Sequence, residues 1–200
     1  MSNQRPSAYP VIFQLFASRT ADATIDALYG AIVAQARSPG FYLTYGVPDT
    51  VEGRFDMIVL HLVLVFRRLA REPDAVRALA QGVFDRFCRD MEHNLREMGV
   101  GDLSVPKQMR RLGEAFYGRA GVYERAINAP NQSREMLATA LARNVFAEPG
   151  SSGKALHLAA YVAEAERCLE AAPSVALAGG AIAFPDPATV AEPASLEQHD

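Results

Sequence analysis

The stretch MIVLHLVLVF (Met57–Phe66) is the most hydrophobic segment of this 200-residue chain, and it decides the fold. Asp56 precedes it and Arg67 follows it, so the apolar run is far shorter than the roughly 20 residues of a membrane-spanning helix. Helical patterns flank it on both sides, and its apolar side chains cover nearly the whole circumference of a helix. A helix with that distribution is buried at the centre of a domain.

The periodicity of the remaining chain is helical as well. Apolar residues recur at spacings of three and four, and Gly- and Pro-containing segments separate the repeats. Six helices are predicted, at about residues 22–37, 49–71, 74–98, 104–127, 133–146 and 154–171. Thr20 or Asp22 is the expected cap of the first helix, and Asp49 with Glu52 forms a capping-box pattern at the second. No strand pair and no internal repeat is evident.

These patterns predict an all-α fold, a single compact domain of six or seven helices. The domain is expected to cover residues 1–184, followed by a disordered acidic tail over residues 185–200. Four acidic residues without a basic partner mark that tail: Asp186, Glu192, Glu197 and Asp200.

Charge and cysteine content narrow the possible partners and the compartment. The chain has 20 Lys and Arg against 23 Asp and Glu, whereas a nucleic-acid binder normally carries a clear basic excess. We therefore expect no DNA partner. Cys88 and Cys168 both lie in helical patterns and are expected to be reduced thiols. Together with the absence of a secretory leader pattern before the first helix, this predicts a cytoplasmic protein.

The sequence contains no motif for catalysis or for metal binding. A di-iron bundle needs two Glu-x-x-His motifs, and the nearest match is a single Asp90-x-x-His93. His93 and Cys88 are too few ligands for a zinc site. No phosphate-binding loop is present, and no serine or cysteine has the context of a nucleophile. The expectation is a non-enzymatic binding protein without a cofactor or metal.

One candidate binding surface follows from the helical wheel of the second predicted helix. An arc of that helix begins apolar at Met57 and ends basic; the candidate contact residues on it are Leu60, His61, Leu64, Arg67, Arg68 and Arg71. One interpretation is a docking surface for an apolar, partly acidic partner. The alternative is that His61 is a hydrogen-bonded core histidine and the arginines are a solvated helix end, favoured there by the helix dipole.

The fourth predicted helix has an unusual glycine content. Gly113, Gly118 and Gly121 lie inside it, and each costs about 1 kcal/mol relative to alanine. Such a helix usually has another backbone close to it. That backbone belongs either to a neighbouring helix of the same domain or to a helix of another protein that enters a groove with basic edges.

Three segments carry a resemblance to a known family. They are GRFDMIVLHLVLVFRRL (Gly53–Leu69), DMEHNLREMGVGDLSVPKQM (Asp90–Met109) and EAFYGRAGVYERAI (Glu114–Ile127), in this order. Over about residues 27–146 the chain resembles the ubiquinol–cytochrome c chaperone family, in a bacterial form. The resemblance implies an assembly factor for the respiratory complex that oxidises ubiquinol and reduces cytochrome c. Its implied client is newly made cytochrome b, and the ribosome and the inner-membrane surface stay open as further partners, the latter with a peripheral location.

A chaperone of the kind that the resemblance implies needs an apolar surface with a polar rim. The arc of the second helix is one candidate, and the fourth helix provides another through Lys107, Arg111, Tyr117 and Arg119. A different class of function also stays open: a helical peripheral membrane or ligand-binding domain. It would hold a quinone, haem or lipid between the second and fourth helices. His61, His93 or Met91 would then be the first haem ligands to test.

Overall fold

The apolar run Met57–Phe66 lies within a helix that extends from Val51 to Leu69. The computed structural model describes residues 9–130, 133–150 and 152–191. The helices of these ranges are α1 (Tyr9–Ala36), α2 (Pro39–Leu43), α3 (Val51–Leu69), α4 (Asp74–Arg77), α5 (Leu79–Glu97), α6 (Val105–Ile127), α7 (Ser133–Asn144), α8 (Gly153–Ala171) and α9 (Ser174–Ala178), followed by a 3-10 turn at Pro187–Thr189. The described ranges contain no strand, which confirms the prediction of an all-α domain.

Helix α3 is the centre of the core. It packs against α1, α5, α6 and α8, so neighbours surround it. Leu60, Leu62 and Val65 have no exposed surface. Complete burial of such side chains contributes about 1.5–3 kcal/mol each. The prediction of a central, fully buried helix is confirmed.

Thr50 caps the N-terminal end of α3, not the predicted Asp49. The side chain of Thr50 accepts a hydrogen bond from the Gly53 amide at 3.1 Å, while Asp49 pairs with Arg54 at 2.6 Å. The Asp49 capping box is therefore wrong. A Cβ at Gly53 would lie 2.0 Å from the carbonyl oxygen of Pro48. Only glycine fits where the preceding loop folds back onto the helix.

The other helices form layers around α3. Helices α1 and α5 run parallel, as shown by the contacts of Asp26 with Arg86 and of Tyr29 with Asp90. Helices α5 and α6 form an antiparallel hairpin, and Gly99 supplies a left-handed residue (φ +83°) in its turn. Helix α7 packs against α6 and α8 on the other flank.

Two predicted boundaries differ from the structure. Helix α1 already begins at Tyr9, so Thr20 and Asp22 lie inside it and neither caps it. The predicted disorder does not hold for residues 185–191, because Pro187 is buried there and its carbonyl accepts a hydrogen bond from Tyr45. Residues 192–200 lie outside the described ranges, and their disorder stays a prediction.

Candidate functional site

The apolar half of the predicted arc on α3 is not a surface. Leu60, His61 and Leu64 are completely or almost completely buried. The prediction that these three residues contact a partner is wrong, because helices pack against α3 on every side.

His61 is a core histidine with both ring nitrogens hydrogen-bonded. Its Nδ1 lies 2.8 Å from the Met57 carbonyl oxygen, and its Nε2 lies 2.9 Å from the Tyr161 hydroxyl. Because a carbonyl can only accept, Nδ1 carries the proton and Tyr161 donates to Nε2. Burial lowers the pKa of His61 to about 4, so the ring is neutral at pH 7. The interpretation as a satisfied core histidine is confirmed.

The basic half of the arc is engaged by α8. Arg67 donates to Glu166 at 3.0 Å, and Arg71 pairs with Glu170. Arg68 donates to the carbonyl oxygens of Leu169 and Ala172, each at 2.9 Å, and so caps the C-terminal end of α8.

The burial of these arginines differs from both sequence interpretations. The side chains of Arg67 and Arg68 are only 12% and 11% exposed. Arg67 and Arg68 are neither a docking surface nor a solvated helix end; they fix α3 to α8. Arg71 is 55% exposed beside Glu170, and its contact with a partner stays a prediction.

The second predicted surface, on α6, is open to solvent. Lys107, Arg111 and Tyr117 are all exposed, with Tyr117 at 66%. The exposed residues on this side of the helix form the α6 outer face: Lys107, Arg110, Arg111, Glu114, Tyr117, Gly118 and Arg125. Four basic residues against two acids, Glu114 and the adjacent Glu124, give this side of the helix a positive charge.

The glycines of α6 leave this side of the helix uncovered. A Cβ at Gly113 or Gly118 would meet no atom within 4 Å, and one at Gly121 would meet only the Arg125 guanidinium, at 3.4 Å. No helix of the described chain therefore packs closely on them, and the intramolecular interpretation is wrong. The other interpretation, a helix of another protein, stays a prediction.

Apolar side chains accompany the positive charge. Leu103, just before α6, is 99% exposed, and Met98, at the end of α5, is also exposed. The ring of Tyr117 lies 5.3 Å from that of Phe116 and 6.0 Å from that of Phe84. Tyr117 is thus the solvent-exposed edge of an internal aromatic cluster, within a surface that is both basic and apolar.

Arg119 points away from this face into the protein. Its Nε lies 2.5 Å from an oxygen of Asp56, whose side chain is 4% exposed, and its guanidinium stacks 5.5 Å from the centre of the Phe55 ring. Burial raises the pKa of Asp56 to about 6, and the guanidinium opposes that rise. The prediction that Arg119 contacts a partner is not supported by this position. A signal existed in the sequence, since an acid inside a fully buried helix requires a base.

Comparison with known proteins agrees with this architecture. Residues 43–184 match the family described as ubiquinol-cytochrome C chaperone. The chain belongs to the ubiquinol–cytochrome c chaperone family. Over 119 residues it is 24% identical to ubiquinol-cytochrome-c reductase complex assembly factor 1 of Xenopus laevis, a match that covers 60% of this chain and 58% of the frog protein.

A solved relative extends the likeness to the three-dimensional structure. The crystal structure of the Cbp3 homolog from Brucella abortus has 41% sequence identity and a TM-score of 0.80, over 90% of this chain and 99% of that one. The predicted family and the all-α domain are thereby confirmed.

In this chaperone-family protein, side chains of the core occupy the space between α3 and α6 in which the ligand-binding alternative placed its ligand. Phe66 and Phe116 pack against each other between α3 and α6, where a ligand was predicted. His93 is exposed beside Glu97, and both nitrogens of His61 are engaged. The described residues contain no group of three side chains suited to a metal ion, and none of their helices is long and apolar enough to cross a membrane.

Sequence reasoning also missed a set of side chains near the C-terminus. Gln35, Tyr45 and His157 each hydrogen-bond to a backbone carbonyl of residues 185–190. Their positions in α1, after α2 and in α8 carry no common pattern, so only the folded chain brings them together.

Proposed function

We propose that this chaperone-family protein assists assembly of the ubiquinol–cytochrome c reductase complex by binding newly made cytochrome b, without catalysing a reaction. The observation that carries the proposal is the open, glycine-bearing, basic α6 outer face in a chain of this family. The frog relative is named as an assembly factor of that complex, which supports the same role here.

The chemistry of the α6 outer face suits an apolar helical client. Glycines at a helix surface let the backbone of a second helix approach closely, as they do between membrane helices. Gly118 offers that approach, and Tyr117 and Leu103 add apolar contact area. A helix of a membrane protein that has not yet reached its final partners has the matching surface.

The basic residues of the α6 outer face supply orientation. Lys107 and Arg111 are exposed and take part in no ion pair within the described ranges. Charges of this kind guide encounter with acidic client loops more than they add affinity. They also suit the phosphates of anionic lipids, which supports a peripheral site of action at the inner membrane.

A cross-linked pull-down with two matched glycine variants tests this proposal. The Cβ of Gly118→Leu enters the open face and meets no atom within 4 Å, so we expect the fold to be retained. Gly30→Leu is the control, because Gly30 in α1 is also exposed and a Cβ there also meets nothing within 4 Å. Cytochrome b is quantified in the eluates from cells that are assembling the complex.

We expect cytochrome b with the wild type and with Gly30→Leu, and roughly tenfold less with Gly118→Leu, because a leucine separates the two backbones. Equal recovery with both variants would show that the α6 outer face is not the contact. If a well-expressed wild type enriched no cytochrome b, the proposed client would be wrong.

A further inference from the structure

The C-terminal segment of residues 179–191, here called the strap, lies across three helices of the domain as an extended chain with one short 3-10 turn. Near its start the strap packs on α1, since a Cβ at Gly180 would lie 2.9 Å from the Cβ of Ala27. It continues past Gly40 in α2, and it ends beside His157 in α8. The surface beneath it is called the strap groove.

The domain holds the strap through its backbone carbonyls. Gln35 Nε2 donates to the Pro185 oxygen at 2.9 Å, and the Tyr45 hydroxyl donates to the Pro187 oxygen at 2.9 Å. His157 Nε2 donates to the Val190 oxygen at 3.0 Å. Donors that contact main-chain oxygens recognise an extended backbone regardless of its side chains.

The strap side chains that face the groove are apolar and alternate with exposed ones. Ile182 and Phe184 are half-buried against the core, whereas Ala181 and Ala183 are exposed. The ring of Phe184 lies 5.1 Å from that of His61. This period of two is the pattern of any extended segment with one apolar side.

The charged residue of the strap takes no part in this attachment. Asp186 is exposed, and its carboxylate accepts from the strap's own Ala188 amide at 2.9 Å. The strap therefore contributes apolar side chains and free carbonyls, and an extended apolar peptide of different sequence offers the same groups.

We infer that the strap groove binds an extended apolar segment of the client, and that the strap occupies this groove within its own chain until the segment displaces it. Naming the client as a membrane protein rests on the proposed function. A newly made membrane segment that has not yet formed its helix has unpaired carbonyls and apolar side chains, the two features that the groove accepts. Gly179 at the base of the strap is exposed and has only ordinary contacts, so it provides backbone freedom for the release of the strap.

Because the strap competes with the client for the strap groove, it also weakens client binding enough for the client to be released. The apparent affinity for a client falls by the fraction of molecules in which the groove is open. A change in strap docking therefore appears directly as a change in affinity for a peptide added from outside.

Fluorescence anisotropy with a labelled peptide of residues 179–191 tests the inference on the full-length chain. Phe184→Ala loosens the strap. Gly40→Cys with Pro187→Cys locks it when oxidised, because a Cβ at residue 40 lies 3.2 Å from the Pro187 Cβ, close to the 3.5–4.5 Å of a disulfide. Cys88 and Cys168 are replaced by serine in that background, and the reduced form of the same protein is the matched control.

We expect the peptide to bind Phe184→Ala roughly tenfold more tightly than the wild type. We expect it to bind the oxidised Gly40→Cys/Pro187→Cys variant roughly tenfold more weakly than the reduced form of the same variant. Tyr45→Phe in the Phe184→Ala background removes one carbonyl donor and should weaken binding several-fold. A peptide with aspartate at the positions of Ile182 and Phe184 should not bind.

Two results of the peptide assay would overturn the inference. One is equal peptide affinity of the oxidised and reduced lock; the other is no binding to a Phe184→Ala protein whose circular dichroism matches that of the wild type. A doubled mass in size-exclusion light scattering, reversed by oxidation of the lock, would identify a second copy of the chain as the occupant and would also overturn it.

The same lock separates this inference from the proposed function. Cytochrome b captured equally by the oxidised and reduced forms from solubilised membranes would refute the groove and leave the proposed function intact. Peptide binding as expected, with no capture of cytochrome b by any form, would retain the groove and refute the client.

Discussion

Two buried groups on α3 are expected to change the stability of this protein in opposite directions as the pH falls. Burial lowers the pKa of His61 from 6.5 to about 4, so the unfolded chain takes up the proton first and stability is lost between these values. Burial raises the pKa of Asp56 from 3.8 to about 6, so the native state takes up the proton first and stability is gained as the pH falls through 6.

The expected size follows from the shifts. At about 1.36 kcal/mol per pKa unit, and with each group only partly titrated at the end points, lowering the pH from 6.5 to 4.5 costs on the order of 2 kcal/mol at His61. Over the same pH interval, protonation of Asp56 raises the free energy of unfolding by on the order of 2 kcal/mol. The two contributions nearly cancel in the wild type.

Single substitutions should reveal each contribution. His61→Gln removes the group whose protonation destabilises the native state. Between pH 6.5 and 4.5 the free energy of unfolding of this variant should therefore fall by about 2 kcal/mol less than that of the wild type. Asp56→Asn removes the group whose protonation stabilises the native state, so the free energy of unfolding of this variant should fall by about 2 kcal/mol more than that of the wild type. Urea unfolding at the two pH values measures both, and comparison with the wild type cancels the contributions of all other groups.

The double variant is the control for this reasoning. It should return to the pH dependence of the wild type, because both opposing contributions are absent. If both single variants followed the wild type within about 0.5 kcal/mol, the burial of these two groups would not control their protonation.

Three further substitutions test the packing by urea unfolding. Gly118→Ala should stabilise by about 1 kcal/mol, since the added Cβ meets nothing; a loss of stability would mean that the face is covered. Gly53→Ala should destabilise by more than about 2 kcal/mol, because its Cβ would collide with the Pro48 carbonyl; a neutral effect would refute that approach. Arg68→Met should cost about 3 kcal/mol, because it leaves the buried Glu72 without its base and uncaps α8; an unchanged midpoint would show that the cap is not needed.

The fold was predictable from the sequence because the apolar pattern of α3 covers the whole circumference. That distribution has one physical solution in water, a helix enclosed by others. The helix ends were less predictable, since Asp49 and Thr50 can both cap and only the loop geometry selects Thr50.

The candidate site was predictable only in part. A helical wheel shows which side chains share a face, but it does not show which neighbour meets that face. Glu166 and Glu170 of α8, four residues apart like Arg67 and Arg71, were the available signal that the basic arc is used internally. The exposed positions of Lys107 and Arg111 followed correctly from the polar side of α6.

The strap was missed for a different reason. Its Ala, Gly and Pro content is typical of disorder, and its attachment depends on donors from distant parts of the chain. The alternation of Ile182 and Phe184 was the local sign of an extended segment with one buried side.

The most direct test of the central claim is recovery of pulse-labelled cytochrome b with the tagged chain from cells that are assembling the complex. We expect recovery with the wild type and with Gly30→Leu, and roughly tenfold less with Gly118→Leu, at equal expression of all three. Absence of labelled cytochrome b from the wild-type eluate would contradict the account.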